Sequence, residues 1–127
     1  MSAINLKKSI VSLLENNIIH IHLKSNQEIE LTDAQDVLEA MGILSEGKKL
    51  PVFIDVGEFV NIDEDVRTFS ASKAGNIYTI ADAIAVDNIA QKLLGNFYLK
   101  NDDPKVPTKI FTNKNDALAW LKEFIKK

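Results

Sequence analysis

Apolar and polar positions alternate cleanly from Ile18 to Leu23 and more weakly from Ser9 to Leu14, with Asn16-Asn17 between the two runs. Period-two alternation marks half-covered strands, and asparagine tolerates the positive φ of tight turns, so these runs predict a hairpin. In its second strand Ile19, Ile21 and Leu23 share one face, and His20 and His22 share the other. Asn26 to Leu31 is polar and reads as a connector. Thr32 and Gln35 then match a capping box, and Ala34, Val37, Leu38 and Met41 follow at helical spacing. Gly42 and Gly47 bracket the expected end of that helix. Pro51 to Val56 does not alternate and is closed by Asp55 and Gly57, the pattern of a central parallel strand covered on both faces.

Asn61 and Glu64 form a second box, and Ile62, Val66 and Phe69 trace a helix to about Ala74, ended by Gly75-Asn76. Tyr78 to Val86 reads as another buried strand, with Ala81, Ala83 and Ala85 on one face and Ile84 and Val86 on the other. Asn88 and Gln91 form a third box, opening a helix with Ile89, Leu93, Leu94 and Phe97. Lys109 to Thr112 is a short strand, after which Asn113 caps a last helix carrying Ala117, Trp120, Leu121, Phe124 and Ile125 inward. Its end, Lys126-Lys127, complements the negative end of the helix dipole. The order β-β-α-β-α-β-α-β-α predicts one α/β domain over residues 1–127. Its sheet is mixed but mostly parallel, opened by an N-terminal hairpin and covered by about four helices.

Composition narrows the chemistry. The chain has no cysteine, which excludes thiolate catalysis and cysteine zinc sites and suits a reducing, cytoplasmic setting. No apolar run reaches the ~18 residues of a membrane span, and Met1 to Lys8 has no apolar leader core. The net charge of −3 and a single arginine, Arg67, among 15 basic residues argue against nucleic acid and against an arginine phosphate clamp. No nucleophile is paired with a base and Gly57 stands alone rather than in a phosphate loop, so a non-enzymatic protein without cofactor is expected.

The element order, the stretch Phe53-Ile-Asp-Val-Gly-Glu-Phe-Val-Asn-Ile-Asp-Glu-Asp65, and the tail from Val106 to Asn113 followed by Asp116 to Leu121 carry a resemblance. Together with Leu94-Gly-Asn-Phe97, they resemble an uncharacterised bacterial branch of STAS-like domains. This is the fold of anti-sigma-factor antagonists, related to the CRAL-TRIO lipid-binding fold. The resemblance implies a regulatory, protein-binding module. Typical antagonists carry an Asp-Ser pair at the start of the helix after the central strand, and a partner kinase phosphorylates that serine. Here Ile62-Asp63 matches the step, but Glu64 follows and Val66 stands where those proteins have glycine. The usual phosphoacceptor is therefore missing, and Glu64 has about half the charge of a phosphate. Ser70 and Ser72 lie on the same predicted helix, with nothing to mark either as a substitute.

The interaction surface expected from this reading is Glu58, Phe59, Val60, Asp63, Glu64, Asp65 and Arg67, with the two apolar residues as anchors and the acids as specificity elements. The first-turn acids also suit the positive helix end, and Asp63 and Arg67 are spaced to pair. The partner would be an unidentified protein or a second copy of the chain. The alternative is a small molecule or lipid held in a strand-end crevice of Asp55, Gly57, Asp87, Asn88 and Asn113, or on the Ala81, Ala83, Ala85 face. Two histidines alone, His20 and His22, make a weak zinc signal, and no metal site is expected.

Overall fold

The computed structural model describes residues 2–125; the terminal Lys126-Lys127 lies outside them. The predicted hairpin is present as β2 (Ser9–Leu13) and β3 (Ile19–Leu23), paired antiparallel. Asn17 has φ +62°, the left-handed conformation for which asparagine suits this turn. Sequence reasoning missed β1 (Ser2–Asn5), an edge strand antiparallel to β2. Only Ile4 of its four residues is a large apolar side chain, so it leaves no alternation to read.

The chain continues through β4 (Glu28–Ile29), α1 (Leu31–Ser45), β5 (Leu50–Val56), β6 (Asn61–Ile62) and α2 (Glu64–Ala71). It ends with β7 (Thr79–Ala85), α3 (Ile89–Phe97), β8 (Thr108–Phe111) and α4 (Lys114–Lys122). The main sheet has the order β1-β2-β3-β5-β7-β8, and every pairing from β3 onward is parallel. The small strands β4 and β6 form a separate parallel pair.

Strand register sorts the core into two layers. Val11, Ile19, Ile21 and Val52 pack against Ala40 and Met41 of α1. On the opposite face Phe53, Ala81 and Ala83 pack against Ala117 and Leu121 of α4, with Ile18 beside them. The alanine face is thus filled by a closely approaching helix, and Ala81 and Ala83 are fully buried. It offers no room for a lipid, which corrects that part of the sequence reading.

Two helix starts differ from the predicted boxes. Helix α1 begins two residues earlier, after Glu30, whose backbone N–H donates to Asp33 at 2.8 Å; Thr32 is already inside the helix. Lys8 holds the same Asp33 carboxylate at 2.9 Å. Helix α2 is capped at Asp63, because Asn61 and Ile62 are drawn into pairing with β4. It also stops at Ala71, short of the predicted Ala74, where Ser72 Oγ donates to the Phe69 carbonyl at 2.6 Å. Asn88 and Asn113 cap α3 and α4 as the sequence predicts, accepting from the N–H groups of Gln91 (2.8 Å) and Asp116 (3.1 Å).

Helix α2 packs chiefly on α1 and on the π turn Tyr98–Asp102 rather than on the sheet. A cavity of about 200 Å³ lies between them, walled by apolar side chains from β3, β5, β7 and the helices α1, α2 and α3.

Candidate functional site

The loop from Gly57 to Val60 leaves β5 and is laced backbone to backbone onto the segment after β3. Gly57 N–H donates to the Leu23 carbonyl at 2.8 Å, Asn26 N–H to the Glu58 carbonyl at 2.8 Å, and Asn61 N–H to the Gln27 carbonyl at 2.9 Å. Glu58 N–H donates to Ser25 Oγ at 3.0 Å. Gly57 is needed for this approach, since a Cβ there would stand 2.6 Å from Ser25 N. The lacing holds Phe59 at φ +57° with its side chain 80% exposed. A left-handed backbone costs a non-glycine residue about 1–2 kcal/mol. An aromatic ring left in water contributes little to offset that cost.

Beside this loop, α3 exposes most of its apolar residues. Ile89 is 79% exposed, Leu93 65% and Phe97 47%, while Gln91, Leu94 and Gly95 of that helix face the protein. Gly95 sits against Ile110 of β8, where an added Cβ would lie 2.9 Å from Ile110 Cδ1. The smallest residue thus sets the inward face, and the stripe at Ile89, Leu93 and Phe97 faces water. Gln91 couples helix and loop: its side-chain Nε2 donates to the Gly57 carbonyl at 3.0 Å.

Asp63, Glu64 and Asp65 are exposed at the start of α2. They border a shallow depression with Leu31, Thr68, Phe69 and Ser72. Arg67 does not pair with Asp63 through its side chain. Its Nε donates to Asp102 at 3.2 Å and its Nη1 to the Ile62 carbonyl at 3.1 Å, with the guanidinium 5.3 Å from the Phe97 ring centre. The salt-bridged turn after α3 outcompetes the helical neighbour. Val60 is half-buried and lines the cavity under α2.

Of the residues assigned to a strand-end crevice, Gly57, Asp87 and Asn88 are gathered around Gln91, which bonds all three. Asp55 lies on the α4 face of the sheet, 2.7 Å from His22 Nδ1 and 3.4 Å from His20 Nε2. Burial pushes its carboxyl up, but the two imidazoles outweigh this and hold it below the usual carboxylate range. Asn88 and Asn113 are occupied as caps, and Asp87 gives its N–H to Gln91 Oε1 at 2.9 Å. None of Asp55, Gly57, Asp87, Asn88 and Asn113 lines the cavity. Among the described residues no group of three His, Cys, Asp or Glu side chains is placed to hold a metal ion. No helix among them is long and apolar enough to cross a membrane.

One residue was overlooked. Asp82, in the middle of β7, is 8% exposed and lines the cavity. Burial alone pushes its carboxyl up to about 7. A single acid between Ala81 and Ala83 in an otherwise apolar strand is the signal that could have found it.

A solved structure from Shewanella loihica PV-4 superposes at TM-score 0.57 with 17% identity, covering 94% of this chain and 90% of that one. It is described as an uncharacterised protein of the DUF3478 family with a SpoIIAA-like fold. A protein of unknown function from Arthrobacter sp. FB24 matches at 20% identity over 88% of this chain and 97% of its own, with a TM-score of 0.32. No curated protein matches the chain. The family model of a domain of unknown function, DUF7793, matches residues 12–125. The chain thus has the SpoIIAA-like fold that the element order and the resemblance to STAS-like domains lead one to expect, and it belongs to the DUF7793 family.

Proposed function

We infer that the chain is a non-enzymatic STAS-like interaction module that binds a protein through the Phe59 loop and the neighbouring outer face of α3. The observation that carries this is Phe59 itself: an aromatic side chain in water on a left-handed backbone that its own hydrogen-bonded surroundings enforce. Strain of this kind collects where a residue is kept for contact rather than for folding. Ile89 and Leu93 extend the apolar surface, and Glu58, Asp63, Glu64 and Asp65 supply a polar, acidic border. Arg67 braces Phe97 and Asp102 from within this face rather than contacting the partner directly. Glu64 is exposed at the first position of α2; on the resemblance to the antagonists it stands in for their phosphoserine and gives the surface a fixed negative charge.

The test is affinity capture from the native lysate by the tagged chain, compared with the double variant Phe59→Ala, Glu64→Lys. The expected result is one stoichiometric polypeptide retained by the parent and lost by the variant, with melting temperatures within about 2 °C of each other. Equal retention by both would overturn the assignment.

A further inference from the structure

Among the described residues on the wall of the cavity beneath α2, Asp82 is the one charged side chain without a partner, and the hydroxyls of Ser70, Thr79 and Tyr98 are the neutral polar groups beside it. Arg67 is spent on Asp102 and the Ile62 carbonyl, and Gln91 on Gly57 and Asp87. Asn76 Nδ2 donates to the Ser70 and Ser72 carbonyls at 2.8 and 2.7 Å. Among the described residues, no hydrogen bond or ion pair reaches the Asp82 carboxylate, although its side chain is more than nine-tenths buried. The ionisable neighbours on its side of the sheet are Tyr98 and, behind it, Asp102 with its partner Arg67. Tyr98 is itself pushed up by burial and by the charges of Asp82 and Asp102. The surroundings are therefore largely apolar and mildly negative, and among the described residues the cavity wall holds no cation other than the paired Arg67.

We propose that this cavity binds a small hydrophobic amine, its ammonium group seated on Asp82 and its apolar body lying between Ile54, Ile84, Val66 and Phe69. Size and chemistry both select this class. A cavity of about 150 Å³ with aliphatic walls admits benzene, so about 200 Å³ admits one ring with a short arm. A buried carboxylate with no partner is costly, and an ammonium supplies both the charge and the N–H donors it lacks. Carboxylic acids are repelled, and a purely apolar guest leaves the cost in place. This binding is separate from the Phe59 surface and stands whether or not that surface binds protein.

Calorimetric titration at pH 8 with benzylamine, toluene and benzoate tests the assignment. Benzylamine is expected to bind saturably, toluene at least about tenfold more weakly, and benzoate not at all. Asp82→Asn should bring benzylamine down to the level of toluene while toluene uptake persists. Because ammonium binding requires the ionised carboxylate, lowering the pH from 8 to 6 should weaken benzylamine about tenfold. Val66→Phe, which fills the cavity from α2 with Asp82 intact, should abolish uptake of both guests. Equal binding of benzylamine and toluene, unchanged benzylamine affinity in Asp82→Asn or Val66→Phe, or no saturable binding by the folded parent would each overturn the proposal.

Discussion

Two residues are held where a folding optimum would not place them, and each makes a measurable prediction. At Phe59 the left-handed backbone is natural for glycine and unfavourable for an aromatic residue. Phe59→Gly should therefore raise stability by about 0.5–1 kcal/mol in denaturant unfolding while abolishing partner capture; a loss of stability would mean that the ring packs after all. At Asp82 the unfolded chain ionises near its ordinary 3.8, whereas the folded chain ionises near 7. Between those values folding takes up a proton. The protein is favoured by this group at low pH and loses that advantage as the pH rises through about 7. Asp82→Asn should match the parent near pH 4 and exceed it by roughly 2–4 kcal/mol at pH 8 in chemical denaturation. Asp55 works in the opposite window: its depressed carboxyl contributes above its unfolded value, and that contribution fades as the pH falls through the folded one.

At the scale of elements, local signals were legible wherever one side chain decides the outcome. Asn88 and Asn113 each bond the third residue on, as their spacing requires. The Thr32 box fails because Glu30 and Asp33 form a box two residues earlier, and the Asn61 box fails because pairing between β4 and β6 reaches across 33 residues and claims the backbone of Asn61 and Ile62. No local pattern reports such a partner. This separates two variants that sequence reasoning treats alike. Asn113→Ala should cost about 1 kcal/mol, whereas Thr32→Ala should cost only a few tenths, measured by thermal unfolding. Equal losses would restore Thr32 as a cap. Helix α3 shows a different limit. Its apolar stripe was visible, but periodicity does not say which face looks inward, and Gly95 against Ile110 decides that against Ile89 and Leu93.

The architecture of the whole molecule was legible because helices and strands alternate, and a central strand without polar alternation can only sit inside a sheet. The cavity was not, since it depends on how far α2 stands from β5 and β7, a distance that no spacing along the chain encodes. The same holds for the strand-end crevice: the residues lie at the right ends of the strands, yet caps and the His20, His22 pair occupy them.

The stand-off of α2 also has a kinetic side. A helix of eight residues that leans on its neighbours, joined to the sheet through a two-residue strand, has few contacts to break before it lifts. Its amide protons should exchange with solvent through local opening, well before those of β5 and β7, which only global unfolding exposes. If so, the helix would be the door of the cavity as well as its roof. A guest beneath it would reveal itself as slowed exchange at Val66 to Ser70, with the sheet unchanged, before any change of shape could be seen.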